Sequence, residues 1–339
     1  MRPVSRAIGF VLAMAWQALV PAGAENRIVL DLPLACELGR SCEIQQYVDH
    51  DPSTAARDYQ CGTLSYDGHN GTDFRLPTLS AQRAGVNALA AADGVVARVR
   101  DGMEDIARAA TGDPAVGNRL CGNGVVISHA DGWETQYCHL AQHSVRVRPG
   151  QRLSAGTPLG QVGLSGATVF PHLHFTVRHK GAIVDPFAFG APADSCGGGA
   201  PLWRPALAAT LSYRARVVLN TGFAAAPVTM EAIEAGAAGE LKTAAVEPAA
   251  IVAYARSIGL KVGDVQQLII RAPDGSVLVD HSANRLNSHQ AQAMVFAGKK
   301  RPSGGWPSGV YRATYQVLAD GQPVLEQSFA LTLQPAPRP

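Results

Sequence analysis

From about Tyr59 to Phe189 the chain is a series of short apolar stretches cut by glycine turns, with little helical periodicity. Gly94-Val-Val-Ala-Arg-Val, Gly124-Val-Val-Ile-Ser, Trp133-Glu-Thr-Gln-Tyr and Leu173-His-Phe-Thr-Val carry β-branched or aromatic residues at strand spacing. Ala130-Asp-Gly132 reads as a hairpin turn between the second and third of these. The pattern predicts an antiparallel β domain.

Ala191-Pro-Ala-Asp-Ser-Cys-Gly-Gly-Gly-Ala-Pro201 has the composition of a linker. Beyond it Arg214 to Leu219 alternates, Pro273-Asp-Gly275 joins Gln267-Leu-Ile-Ile-Arg to Ser276-Val-Leu-Val, and Asp320-Gly321 separates two further strand patterns, from Val310 and from Leu325 to Leu333. Short strands with regular turn signals predict a smaller β-sandwich, immunoglobulin-like in arrangement. The chain is thus read as all-β, with a domain over 25–190, a linker over 191–205 and a second domain over 206–335.

The first 24 residues belong to neither domain. Arg2 and Arg6 precede an apolar run from Ala7 to Val20, and Ala22-Gly-Ala24 supplies the small residues of a cleavage site, which predicts a secretory signal peptide cut after Ala24. A retained anchor is the alternative, but the run is shorter than the roughly 20 residues that span a bilayer. Cleavage implies a periplasmic or secreted location without stable membrane insertion. It also removes two arginines from 29 basic against 27 acidic residues, leaving 27 of each. No global field then favours nucleic acid or an anionic membrane.

Six cysteines in an exported chain read as structural disulfides. Cys36 with Cys42 is the first expectation because the loop is short; Cys61 with Cys121 and Cys138 with Cys196 follow only by elimination. Cysteine-ligated zinc is the competing reading, although the chain has no C-x-x-C pair.

Histidines gather at three places, His69-Asn-Gly-Thr-Asp73, Tyr137-Cys-His139 and Pro171-His172-Leu-His174. Strand alternation puts His172, His174 and Thr176 on one face and Leu173, Phe175 and Val177 on the other. The same rule groups Thr135 and Tyr137 with His139, and leaves Cys138 free to brace that strand from behind. His69 and Asp73 are four residues apart in a turn entering a strand, so both can reach one ion. Imidazoles plus a carboxylate are the inventory of a one-metal hydrolytic site. The H-E-x-x-H helix of many zinc proteases is absent from the sequence.

These motifs carry a resemblance. Gly68-His69-Asn-Gly-Thr-Asp73-Phe74, Gly94-Val-Val, Gly122-Asn-Gly-Val-Val-Ile-Ser-His129, Thr135-Gln-Tyr137-Cys-His139-Leu140, Gly160-Gln-Val-Gly163-Leu-Ser-Gly166, Pro171-His-Leu-His174-Phe175 and Val184-Asp-Pro186 stand in the order of the M23 zinc metallopeptidases. The region from about 60 to 189 resembles that lysostaphin and LytM-type family of peptidoglycan endopeptidases. The resemblance implies a LytM-like antiparallel catalytic domain that binds one Zn2+ through His69, Asp73 and His174, with His139 and His172 as catalytic histidines. Zinc held this way lowers the pKa of water from about 15.7 toward about 7, and the two histidines move protons or stabilise the oxyanion.

The chain also departs from the family pattern. Arg100 to Cys121, with Glu104, Asp105 and Asp113, is longer than the usual link and reads either as a groove wall or as a solvated loop. Thr176 stands where a glutamate is common. The function implied is hydrolysis of peptide bonds in peptidoglycan stem peptides or cross-links. The alternative is an envelope binding or regulatory protein that recognises wall peptides, with the C-terminal domain docking an envelope protein partner. Lys299-Lys-Arg301 with Gly304-Gly-Trp306 is expected to be a basic loop whose tryptophan packs on the sandwich rather than a glycan contact, and His281 and His289 are expected at the surface.

Overall fold

A computed structural model describes residues 27–108, 116–192, 195–238, 241, 243–244 and 248–334; the expected signal peptide and Asp113 lie outside the described residues. The first ten strands are β1 (Glu43–Gln46), β2 (Thr72–Arg75), β3 (Asn87–Leu89), β4 (Gly94–Arg100), β5 (Asn123–Ser128), β6 (Trp133–Leu140), β7 (Arg152–Leu153), β8 (Pro158–Gln161), β9 (His172–His179) and β10 (Ala182–Val184). They form an antiparallel sheet in the order β1-β2-β9-β6-β5-β4-β7, with β10 beside β9, and a small β3-β8 ladder.

Alternation explains why this sheet has a dry face and a polar face. Leu173, Phe175 and Val177 of β9, Val125 and Ile127 of β5, and Tyr137 of β6 enter one core together with Phe74 and Trp203. Burying side chains of this size stabilises the fold by roughly 1.5–3 kcal/mol each. The opposite face carries His174, Thr176, Gln136 and Arg178, and it holds the site described below.

The glycine- and proline-rich stretch after Phe189 is fastened to this first core. Phe189 and Ala200 pair, Leu30 pairs with Trp203, and Leu202, Trp203 and Leu211 are buried among the first unit's residues. Composition marks where a chain can bend, but apolar side chains and a disulfide decide whether it hangs free.

Cys36 bonds Cys42 as expected. The other two pairings are corrected: Cys61 bonds Cys196, and Cys121 bonds Cys138. Because β5 and β6 form a hairpin, Cys121, just before β5, lies beside Cys138 with a Cα–Cα distance of 4.8 Å. Elimination could not see this register.

The second unit contains β11 (Val217–Ala224), β12 (Thr243–Ala244), β13 (Ala250–Leu260), β14 (Val265–Arg271), β15 (Val277–Ser282), β16 (Gln290–Lys300), β17 (Gly309–Ala319) and β18 (Gln322–Leu333). Sheets β11-β13-β16 and β12-β18-β17-β14-β15 share one core, so this is a two-sheet sandwich. Trp306 is buried in it and donates Nε1–H to the Pro248 carbonyl at 2.9 Å, while Lys299 and Lys300 belong to β16. The longest element that alternation fails to reveal is β13, which is buried on both faces after its first residue and therefore has no polar phase to read.

Two short α-helices sit at the contact of the units, α1 (Leu79–Arg83) and α2 (Met230–Ala235). Thr229 caps α2 by accepting from the Ala232 amide, and Gly236 ends it at φ +73°. Between those caps, Glu234 accepts from the fully buried guanidiniums of Arg75 in the first unit and Arg256 in the second. Arg256 also donates to the Pro77 carbonyl.

Candidate metal centre

Strand pairing brings the chemistry together. Asp73 of β2 lies directly opposite His174 of β9, and His69 stands on the turn that enters β2. The turn must pass close to the His174 ring: a Cβ on Gly71 would lie 2.6 Å from His174 Nε2 and 2.8 Å from the Phe175 carbonyl oxygen. Glycine is needed in H-N-G-T-D for this approach rather than for a left-handed conformation.

Three donor atoms converge. His69 Nε2 is 3.2 Å from Asp73 Oδ1 and 3.2 Å from His174 Nδ1, and His174 Nδ1 is 2.9 Å from Asp73 Oδ1. A tetrahedral zinc with bonds of about 2.0–2.1 Å has ligand edges of about 3.3 Å, so the triangle needs only slight expansion to fit. The outer nitrogens are already used: His69 Nδ1 donates to the Tyr47 carbonyl at 2.6 Å and His174 Nε2 to Asn70 Oδ1 at 3.0 Å. These bonds set the tautomers and turn two imidazole lone pairs and a carboxylate oxygen toward one point. Three acceptors facing one another in a buried place call for a cation.

Thr176, where the family pattern favours glutamate, places Oγ1 3.1 Å from His174 Nε2 and so joins Asn70 in orienting that ring. Asn70, and the carbonyls of Tyr47, Ser165 and Phe170, are the functional partners that sequence reasoning missed. Asn70 lay inside a recognised motif and could have been found there. The carbonyls have no side-chain signature.

His172 opens β9, with Nδ1 donating to the Phe170 carbonyl at 3.0 Å and Nε2 3.4 Å from Asp73 Oδ1. His139 reaches the same place by a different route. Strict alternation would have sent it to the core with Thr135 and Tyr137, both of which are fully buried. Instead Asn123 faces Leu140 and Val125 faces Tyr137, so β6 carries one more residue than β5 here and a bulge forms. His139 occupies it at φ +61°, held by its amide to the Cys121 carbonyl and by its own carbonyl to the Gly163 amide, both at 2.8 Å. The ring turns over to the polar face, where Nδ1 donates to the Ser165 carbonyl at 2.8 Å and the centroid lies 4.7 Å from that of His172. Cys138 therefore does not brace the strand from behind, because it and its disulfide form part of the groove floor.

The electrostatics follow the packing. Burial disfavours charge on Asp73, yet His69 and His172 hold its carboxyl well below the usual range. Burial, then the nearby His172 and His174, pushes His139 well below the ordinary imidazole value, and burial also lowers His174. For His69 burial is outweighed by Asp73 and the bond to Tyr47, and its pKa rises. The groove above these residues has a volume of about 320 Å³, with Tyr66 and Asn70 on one side and Leu120 and Ala167 on the other. Leu120 makes part of the long segment before β5 a wall. The segment is anchored by Met103 N donating to Asn123 Oδ1 at 2.8 Å and by Asp105 accepting from Gln82 at 3.2 Å.

Residues 67–186 match the family model described as Peptidase family M23. The chain carries an M23 peptidase domain. The five expected site residues all lie inside the matched span. Cell division protein DipM of Caulobacter vibrioides is 36% identical over 95 residues, covering 27% of this chain and 15% of DipM. Peptidoglycan DD-endopeptidase ShyA of Vibrio cholerae is 31% identical over 127 residues, covering 38% of this chain and 24% of ShyA. The chain thus spans about a quarter or less of the length of these curated relatives. The solved catalytic domain of the prophage-encoded M23 protein EnpA from Enterococcus faecalis is 24% identical, with 45% of this chain and 95% of that chain covered and a TM-score of 0.32. The M23 domain accounts for β2 to β10; the sandwich lies beyond the matched span.

Proposed function

We propose that this chain is an exported zinc metallopeptidase that cuts peptide bonds in the stems or cross-links of peptidoglycan, in the periplasm or after secretion. The observation that carries the reading is the convergence of His69 Nε2, Asp73 Oδ1 and His174 Nδ1, each oriented by a second partner or by direct strand pairing. These three residues would hold one zinc ion, which supplies Lewis acidity toward a carbonyl and acidifies water. His139 and His172, each fixed through Nδ1 by a backbone carbonyl, present Nε2 to the reacting groups. Jointly they take the proton of the attacking water, pass it to the leaving amine, and donate to the developing oxyanion. ShyA, named as a peptidoglycan DD-endopeptidase, supports the wall peptide as substrate. No helix among the described residues is long and apolar enough to cross a membrane.

The same reading takes 25–190 as the peptidase domain, 191–205 as the connection and 206–335 as the sandwich. Its eight strands in sheets of three and five, with β12 parallel to β18, support an immunoglobulin-like arrangement that would serve an envelope partner.

The test is muropeptide release from purified sacculi by the mature protein, with zinc, with chelator, and with His174→Ala, read by mass spectrometry. Zinc-dependent loss of cross-linked dimers that the variant abolishes supports the proposal, and the product masses name the bond. No release from protein holding stoichiometric zinc overturns it in favour of wall-peptide binding.

A further inference from the structure

The polar face of the sheet does not end at the metal centre. Along β9, His174, Thr176 and Arg178 share that face, and Gln136 and Glu134 of β6 lie opposite Thr176 and Arg178. Arg98 of β4 is paired with Val126 of β5, which in turn faces Gln136, so the same surface continues to the β4 arginines. The groove over the metal centre meets a second cavity of about 620 Å³, and the two share Leu120, Cys121, Gln136 and Arg178 in their walls.

The charge of this extension is one-sided. Among the described residues Arg98, Arg100 and Arg178 line it against the single carboxylate of Glu134, a local excess of two positive charges. Glu134 is shared, lying 3.3 Å from Arg98 and 3.7 Å from Arg178. Arg178 otherwise donates to the neutral amide oxygen of Gln136 at 2.7 Å, and Arg100 to the Gly122 carbonyl at 3.2 Å, neither of which cancels a charge. The side chain of Arg178 is 23% exposed, enough to offer a donor while its stem stays packed.

We propose that this extension, anchored by Arg178, binds a free carboxylate on the substrate peptide. The proposal rests on the peptidase reading above and names the chemistry of its substrate. A strand advances about 3.4 Å per residue, so Arg178 lies about 14 Å along β9 from His174. A peptide laid out along the same face covers that distance in three to four residues. The site therefore selects an extended acidic peptide whose carboxylate lies three to four residues from the bond at the metal centre. Arginine suits this task because its planar fork matches a carboxylate and stays charged.

Fluorescently labelled stem-peptide monomers, which carry no cross-link to cut, test this by anisotropy with the full mature chain. They are used with free carboxylates and after conversion to carboxamides. The expected result is about tenfold tighter binding of the acid form. Arg178→Gln should lower that affinity about tenfold while leaving the carboxamide within about twofold, and Glu134→Gln should tighten the acid form by removing a competing carboxylate. Equal binding of both forms, no binding of the acid form, or an unchanged preference in both variants overturns the subsite. Cleavage of cross-linked dimers, and of the stem bonds of the labelled monomers themselves, is followed in parallel by mass spectrometry. Absent cleavage with the preference intact sinks the peptidase reading and leaves the subsite standing, whereas cleavage without preference sinks the subsite alone.

Discussion

Both units of this chain bury charged and polar side chains, and they do so in opposite ways. In the sandwich the main buried polar groups close on one another: Arg216 forks onto Asp264 at 2.7 and 2.9 Å, Tyr315 donates to Gln266 at 2.9 Å, and Ser257 to Tyr315 at 3.0 Å. In the first unit His69, Asp73 and His174 turn their outer atoms to partners and their inner lone pairs toward one another. The sandwich's polar groups cancel; those of the M23 domain leave a demand for positive charge. A buried polar cluster signals function when its satisfied bonds leave a shared need at the centre, and structure when the bonds close the account.

The largest break in this comparison should come from Asp73→Ala. Zinc content, read by elemental analysis, should fall from stoichiometric to near zero, and peptidase activity by on the order of 10³-fold or more; retained zinc with full activity would remove Asp73 from the ligand set. Next, Glu234→Ala leaves the buried guanidiniums of Arg75 and Arg256 without their carboxylate. The expected cost is about 3 kcal/mol, with separation of the urea transitions of the two units. A single transition at an unchanged midpoint would show that Glu234 does not join them.

Asn70→Ala tests whether orientation of the His174 ring matters. Metal affinity, measured by competition with a chelating dye, should weaken about 10–100-fold while the fold is kept. Thr176→Ala should act in the same direction, and more weakly, because Asn70 remains at His174 Nε2.

The smallest effects are in pH dependence, and the two units should differ in sign. Burial pushes Glu43 up to about 7 from its ordinary 4.5, with Arg214 offsetting only part. A raised carboxyl contributes stability that is full below about pH 4.5 and lost as pH rises through about 7, so Glu43→Gln should flatten that loss and gain about 1–2 kcal/mol above pH 7 after solvent screening. For Asp264 burial works upward, but Arg216 and the Lys261 amide outweigh it and its pKa is lowered. Its stability is present above the ordinary carboxyl range and lost on acidification, so Asp264→Asn should weaken the fold at neutral pH and flatten the acid limb. Urea midpoints from about pH 2 to 8 measure both, and the same sign in both variants would contradict the assignment.

Alternation alone placed His172 and His174 on one face of their strand, because a side chain's face depends only on its position within its own strand, and motif spacing alone brought His69 and Asp73 within reach of one ion. They also identified the sandwich hairpins at Asp274-Gly275 and Asp320-Gly321 from their turn residues. His139 was legible as a member of the set but not in its direction, since a bulge is a mismatch between two strands and is written in neither alone. Strand β13 was hidden because packing on both faces erases alternation. The Cys61–Cys196 and Cys121–Cys138 pairings, and the carbonyls of Tyr47, Ser165 and Phe170 that orient the histidines, were decided by tertiary structure only. Every residue but proline offers the same amide and every residue the same carbonyl, so nothing in the identity of these positions marks them. Which carbonyl meets which imidazole is fixed when strands far apart in sequence settle into register over a common core.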